Sequence, residues 1–293
     1  MNALARFGKV FSIGKSFLHR DLWAVRFGEI PEVLIFGAIH AREWITAPLI
    51  VEMAKSFAKN LDEKTAFLLN DGGRKLKYTD IAFVPMVNPD GVELCQRGLA
   101  SVPVRLRKEL LLTNGKTDFS LWKANANAVD LNVNFDAKWG TGAQNVFNMA
   151  PENYIGKKPF SESETRAIAN FAKKSTVAVA YHTKGEVIYY GFDGHNADKT
   201  WADKFGKELG YAVETSEGSA GGFKDWFVQE NLGVGLTFEC GDDNLKHPID
   251  MCTLPTLLQQ HINIPKLAIE VANENNRNVY ERSDKTCKGR NSI

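Results

Sequence analysis

Short apolar runs alternate along the chain with longer stretches in which apolar residues return every three or four positions. Lys9–Ile13 and Leu22–Phe27 read as short strands, with Gly14 and Lys15 as a turn between them. Val33–Ile39 is apolar nearly throughout, as a central strand covered on both faces requires. From Trp44 to Asn60, Ile45, Leu49, Ile50, Met53, Ala54 and Phe57 recur at helical spacing, which predicts a helix packed on the sheet. Gly72 and Gly73 break the next helical stretch. Ile81–Val87 is another buried strand, and Asn88-Pro89-Asp90-Gly91 after it is a turn signal. Leu99–Gly115 carries no regular pattern. The asparagines and aspartates of Val129–Asp136 suit neither a helix interior nor a plain strand and predict a strand end and polar loop. Ser161 and Glu164 have capping-box spacing, opening a helix to about Ala172. Val177–His182 and Val187–Tyr190 are strands, Gly191–Gly194 a turn and Asp198–Gly210 a helix. A glycine-rich loop, Gly218–Gly222, leads into a helix through Asp225, Trp226 and Val228. Gly235–Cys240 is the last strand, and Thr256–Asn273 a closing helix interrupted at Pro265.

This alternation predicts an α/β fold: a single domain with a mixed, mostly parallel twisted sheet and helices on both faces. Nothing repeats and no linker divides residues 1–293; residues 1–10 and 279–293 are expected to be loose ends. In open sheets of this kind, ligands bind beyond the carboxyl ends of the strands. His40, Asn88, His182 and Glu239 all fall at or just after such ends.

Composition narrows the function. A net charge of +1 gives no electrostatic reason for a nucleic-acid or anionic-membrane partner. No apolar run approaches the ~20 residues that span a bilayer, and nothing points to an obligate protein partner. Met1–Phe11 has Arg6 and Lys9 but no apolar core, so it does not read as a secretory signal, and a cytoplasmic location is expected. Cys95, Cys240, Cys252 and Cys287 lack CxxC spacing, which fits a reducing compartment without redox or structural-metal motifs.

The chemistry concentrates at Gly37-Ala38-Ile39-His40-Ala41-Arg42-Glu43-Trp44, between a buried strand and a helix. Imidazole nitrogen and carboxylate oxygen are ligand types zinc takes, and a catalytic zinc can use two histidines, one carboxylate and an open position. His40 and Glu43 supply two such groups, and His182 is a candidate third. Alone, the pair also suits a helix start with a carboxylate in its first turn, and His182 alone suits a core histidine. Glu239 closes the apolar run Gly235–Phe238, where a carboxylate is costly unless it has a partner or a task. His19, His195, His247 and His261 have no comparable context.

Five ordered motifs resemble the zinc carboxypeptidase family: His40-Ala41-Arg42-Glu43-Trp44, Asn88-Pro89-Asp90-Gly91, Asp130-Leu131-Asn132-Val133-Asn134-Phe135, Tyr181-His182 and Thr237-Phe238-Glu239. The match runs from about Val33 to Pro248. The resemblance implies a zinc peptidase with one Zn2+ per chain held by His40, Glu43 and His182. It implies Glu239 as the general base that activates the hydrolytic water and then passes the proton to the leaving amine. Asp130 matches the carboxylate that holds the first histidine by its other ring nitrogen. Arg42 matches an arginine beside the metal. Lys123 stands where the family has an arginine that polarises the scissile carbonyl; it keeps the charge but not the bidentate fork.

The departures bear on the substrate. The family's Asn-Arg pair for a terminal carboxylate is here Asn132-Val133, so the asparagine stays and the cation is gone. Glu217 falls near the position of the family's catalytic-loop tyrosine. Gly221-Gly222-Phe223-Lys224-Asp225-Trp226 aligns with the specificity loop, which places Lys224 at the floor of the pocket for the leaving residue. These features, with Tyr181-His182-Thr183-Lys184-Gly185-Glu186, resemble the bacterial γ-D-glutamyl-L-diamino acid peptidases of cell-wall metabolism. The expected partner is a peptide, specifically a muropeptide in which the side-chain carboxyl of D-glutamate is joined to a diamino acid such as meso-diaminopimelate. Lys224 would take its distal carboxylate, and Glu217 or Glu186 its ammonium. A conventional metallocarboxypeptidase removing acidic C-terminal residues is the first alternative, and a zinc-free binding protein of the same fold is the second.

Overall fold

A computed structural model of the protein describes residues 4–5, 8–60, 80–196 and 198–275. Among these residues eight strands make one sheet: β1 (Lys9–Lys15), β2 (Asp21–Phe27), β3 (Val33–Phe36), β4 (Ile81–Val84), β5 (Val177–His182), β6 (Val187–Tyr190), β7 (Ala212–Thr215) and β8 (Val234–Glu239). Their order across the sheet is β1-β2-β4-β3-β5-β8-β6-β7. The central strands β4, β3, β5 and β8 are parallel, as is the β6–β7 pair; β1–β2, β2–β4 and β6–β8 are antiparallel. The helices are α1 (Thr46–Asn60), α2 (Pro89–Arg97), α3 (Val104–Asn114), α4 (Ser163–Ala172), α5 (Lys199–Leu209), α6 (Phe223–Gln229), α7 (Leu254–His261) and α8, residues 264–275. Among the described residues no helix is long and apolar enough to cross a membrane.

Strand alternation divides the core into two layers. Val33, Ile35, Val177, Val179 and Tyr181 pack on one face with α1, α5, α7 and α8. Leu34, Phe36, Ala178 and Ala180 pack on the other with α4 and α6. Period two carries the second face on to His182, whose register partner in β8 is Glu239. Two adjacent parallel strands therefore present an imidazole and a carboxylate on one face at their carboxyl ends.

Several elements differ from the expectation, each for a local reason. β1 runs through Gly14 to Lys15 with an irregularity after Ser12, and the turn follows at Ser16–Arg20. Asn88-Pro89-Asp90-Gly91 is not a free turn but the start of α2: Asn88 Oδ1 accepts from Gly91 N at 2.9 Å, and the proline sits in the first turn, where its missing N–H costs nothing. Leu99–Gly115 contains α3, whose apolar signal is faint because Leu110 is its one buried residue. The Ser161–Glu164 capping box does not form. Glu162 is the N-cap of α4, Ser161 Oγ donates to Glu162, and Glu164 accepts from Phe17 N instead. β7 is a solvent-facing edge strand with little apolar content. The closing helix breaks at residues 262–263 rather than at Pro265, which lies in the first turn of α8 and is tolerated there. Leu4 is buried in the core. The expected break at Gly72-Gly73 and the tail at 279–293 lie outside the described residues.

Candidate active site

Beyond β3 the chain turns sharply. Ala38 adopts a left-handed backbone, φ 47°, which is uncommon for a residue bearing a Cβ. Hydrogen bonds to three residues, Asn88, Thr46 and Lys123, hold this turn. Asn88 N donates to Ala38 O, and Asn88 Nδ2 donates to Ile39 O at 3.0 Å and Ala124 O at 3.2 Å. Thr46 Oγ1 accepts from Ala38 N at 2.7 Å and donates to Glu43 O at 2.8 Å. Ala41 N donates to Lys123 O at 2.9 Å. The single helical turn Ala41–Glu43 then brings the His40 and Glu43 side chains to one side.

His182 joins them from β5. His40 Nδ1 lies 2.9 Å from Glu43 Oε1, and His182 Nδ1 lies 3.0 Å from Glu43 Oε2 and 3.1 Å from His40 Nδ1. All three side chains are buried. Two facing ring nitrogens at this distance leave a lone-pair clash that a shared proton or a cation must relieve. Tetrahedral zinc with ligand bonds of ~2.1 Å holds ligand atoms ~3.4 Å apart, close to the spacing seen. The three ligand atoms lie within 4.8 Å of one another, so the donor set fits zinc. Burial is the largest influence on Glu43 and raises its pKa, but the two imidazoles outweigh it and hold the carboxyl well below its ordinary value.

Asp130 stands behind His40. Its Oδ1 is 3.2 Å from His40 Nε2, an ion-pair distance without hydrogen-bond alignment. The carboxylate also accepts from Lys123 Nζ at 2.9 Å, Asn132 N at 3.0 Å and Asn153 N at 3.1 Å. Burial would raise the Asp130 pKa, yet Lys123 and then His40 hold it well below the usual carboxylate range. Burial likewise opposes the charge on Lys123, but Asp130 prevails and its pKa is raised. Lys123, Asp130 and His40 thus form a continuous row of paired polar groups.

Glu239 faces this row from β8. No hydrogen bond or ion pair to another described residue engages its carboxylate. Burial pushes its pKa up to about 7, against the pull of His182, and the Glu43 carboxylate adds to the rise. Such a carboxyl can hold or release a proton near neutrality. Arg42 is turned toward Glu152, with Nη1 3.0 Å from Glu152 Oε2, while its Nε is buried without a partner.

The residues expected to meet the substrate are spread further. Asn132 Oδ1 accepts from Phe223 N at 3.0 Å, tying its loop to the start of α6, and Val133 beside it is partly exposed. Gly221 occupies left-handed backbone, φ 78°, and a Cβ there would lie 2.7 Å from Val133 O, so glycine is required for this approach. Lys224 is buried, its ammonium held by Gly191 O at 2.5 Å and Asp225 Oδ1 at 2.6 Å. Glu217 lines a cavity of about 400 Å3 with Lys138, Phe192, Asp193 and Thr215 among others; Glu186 is not part of its wall.

The expected ligands, Asp130, Lys123 and Glu239 are brought together, whereas Glu217 lies at the cavity. Sequence reasoning passed over Thr46 and His247. Thr46 offered one signal, a buried hydroxyl three residues after Glu43. His247 had none: a loop after β8 brings its Nε2 to 2.9 Å from Thr183 Oγ1, next to His182.

Comparison with known proteins agrees with this geometry. The family model described as zinc carboxypeptidase matches residues 3–286. A gamma-D-glutamyl-L-diamino acid endopeptidase from Lysinibacillus sphaericus is 33% identical over 86% of this chain; the chain spans 65% of that relative, a little under two thirds. Bovine thrombin-activatable fibrinolysis inhibitor shares the fold at TM-score 0.71, with 18% identity, 94% of this chain and 93% of that one covered. The murein-tripeptide amidase MpaA of Escherichia coli O157 shares it at TM-score 0.55, with 22% identity and coverages of 87% and 90%.

Proposed function

Since the chain belongs to the zinc carboxypeptidase family, we propose that it is a zinc-dependent peptidase hydrolysing γ-D-glutamyl–diamino acid bonds in peptidoglycan-derived peptides. The observation that carries this reading is the clustered His40, Glu43 and His182 with Glu239 beside them, combined with an apolar residue, Val133, next to Asn132 where a conventional carboxypeptidase needs a cation. The likeness to a relative named for this activity supports it.

His40, Glu43 and His182 would hold the zinc, which when bound supplies a Lewis acid and an acidified water at neutral pH. Asp130 fixes His40 so that Nδ1 faces the metal position. Glu239 accepts the proton of the attacking water at its carboxylate and returns it to the leaving amine of the diamino acid. Lys123 offers positive charge to the carbonyl oxygen as it becomes an oxyanion. Without an arginine at position 133, recognition shifts from the terminal carboxylate toward the rest of the leaving residue.

The test is incubation of the zinc-loaded chain with L-Ala-γ-D-Glu-meso-diaminopimelate beside an L-tripeptide ending in glutamate, with products read by mass spectrometry. Release of diaminopimelate with the L-tripeptide intact is expected. Cleavage of the L-tripeptide alone, lost on amidating its C-terminus, would return the protein to the conventional carboxypeptidases. Absence of stoichiometric zinc after reconstitution would favour a zinc-free binding role.

A further inference from the structure

The 400 Å3 cavity carries charges of both signs at its wall, Lys138 against Asp193 and Glu217. We propose that it receives the distal amino-acid centre of the leaving residue, Lys138 taking the carboxylate and Asp193 with Glu217 taking the ammonium. This assignment rests on the γ-D-glutamyl–diamino acid reading above and says which residues would make the selection.

Two lines of structure connect the cavity to the reacting centre. β6 pairs with β8 in the register Val187↔Glu239 and Tyr189↔Thr237, and directly opposed residues share a face. Gly191 follows β6 on left-handed backbone, φ 66°, and lines the cavity. Four residues of chain separate it from the level of Glu239, at most about 14 Å. The attacking water occupies ~3 Å beside the base, and an extended diaminopimelate runs about 8 Å from its scissile nitrogen to its distal carboxyl. The distal groups then arrive at the cavity mouth. The second line is covalent. From Asp130 at His40, the chain passes Asn132 on Phe223 N, then pairs with Gly221 through Phe135 N→Gly221 O at 2.9 Å and Gly221 N→Ala137 O at 2.7 Å. The next residue is Lys138.

The charges are available and aimed. Lys138 Nζ pairs with Asp193 Oδ1, and each side chain is about half exposed, 51% and 50%. An ion pair so exposed is held weakly, and a zwitterion of opposite polarity can replace it with one contact to each partner. Lys224, by contrast, has its ammonium enclosed by Gly191 O and Asp225, and among the described residues the one cation in the cavity wall is Lys138. Both partners sit on left-handed backbone, φ 45° at Lys138 and 51° at Asp193. For Asp193 the cause is visible. Phe192 and His195 exchange backbone hydrogen bonds at 3.1 and 2.8 Å around Asp193-Gly194, a two-residue turn with both φ positive. That turn holds the carboxylate at the cavity wall.

The test uses zinc-loaded full chain and three peptides in which L-Ala-γ-D-Glu is joined to meso-diaminopimelate, to L-lysine (no distal carboxylate) or to L-2-aminopimelate (no distal ammonium). Lys138→Ala should lower kcat/KM about tenfold or more on the first and third, and less than about twofold on the lysine peptide. Asp193→Asn, which suits left-handed backbone, should harm the first and second and spare the third. In parallel, free meso-diaminopimelate is titrated against wild type and Lys138→Ala by NMR. Cleavage with equal losses on all peptides, or with no loss, overturns the cavity assignment and leaves the peptidase reading standing. No cleavage of any peptide, but diaminopimelate binding that Lys138→Ala abolishes, supports the cavity and removes the peptidase reading. No cleavage and no binding removes both.

Discussion

Asp130→Asn is the sharpest probe of the metal centre, because every group facing this carboxylate is a donor. His40 Nε2 carries the ring proton when Nδ1 offers its lone pair to a metal. Lys123 Nζ, Asn132 N and Asn153 N complete the set. An amide has one oxygen and one NH2, so in either orientation its NH2 meets two donors. At least two buried donors then lose their acceptor, at ~1–3 kcal/mol each. Lys123 keeps Asn153 Oδ1 at 3.2 Å, which softens its share. The expected destabilisation is therefore about 2–5 kcal/mol, and at ~0.6 kcal/mol per kelvin for a chain of this size a 3 kcal/mol loss lowers Tm by about 5 °C. Losing the carboxylate behind a ligand histidine should also weaken zinc binding about 10- to 100-fold. Competition against a chromophoric chelator reads the affinity, and thermal melts read the stability. The cause is separable from general damage: Lys123→Met removes one stranded donor, so the double variant should be less destabilised than the sum of the singles by about 1 kcal/mol or more. Zinc affinity within twofold of wild type, with unchanged Tm, would refute the reasoning.

Three further outcomes follow from the same structure. Glu239→Gln should retain stoichiometric zinc while kcat drops about 10²- to 10⁴-fold; near-normal kcat with full metal would remove Glu239 as the base. Burial raises the Glu164 pKa from 4.5 to about 7, so the folded state keeps a proton that the unfolded chain releases, and stability falls as pH rises from about 4.5 to 7. Glu164→Gln should abolish that fall and raise stability at pH 8 by up to about 3 kcal/mol, whereas wild-type and variant melting curves that run parallel from pH 5 to 8 would contradict it. Gly221→Ala places a Cβ against Val133 O on left-handed backbone, so a loss of at least about 1 kcal/mol in chemical denaturation is expected; unchanged stability would show that the loop can yield.

The central strands were legible because both faces are buried and their apolar runs are nearly unbroken, as in Val33–Phe36 and Val177–Tyr181. The strand-end positions of His40, His182 and Glu239 followed directly. Elements whose signal depends on long-range contact were not legible. α3 buries one residue, and β7 is an exposed edge. Asn88-Pro89-Asp90-Gly91 has a composition shared by turns and helix starts, and only its placement against Ile39 and Ala124 decides between them. The charge at position 224 was visible, but its enclosure was not, because Gly191 O comes from a segment 33 residues away in sequence. Asp193-Gly194 was readable as a turn; nothing local showed that the aspartate would meet Lys138, 55 residues earlier.

In the reading proposed above, catalysis and selection rest on different kinds of support, for a physical reason. The proposed ligands stand on a buried strand end and one braced turn, and the proposed base on a partly buried strand end. Residues 131–138 are anchored by backbone pairing to Gly221, by Asn132 on Phe223 N, by the Asn134 amide against Ile155 O, Glu162 N and Thr165, and by the buried Leu131, Phe135 and Ala137. None of these contacts uses the side chain at 133 or 138. On the proposed reading, a change at either position should alter the preference for the leaving residue without moving His40, His182 or Glu239. The constraint acts in one direction only: Asp130, at the head of the same segment, cannot vary in this way, because its four donors tie the segment to His40. Substitutions along this stretch should therefore pass from loss of metal affinity at 130 to change of substrate preference at 133 and 138.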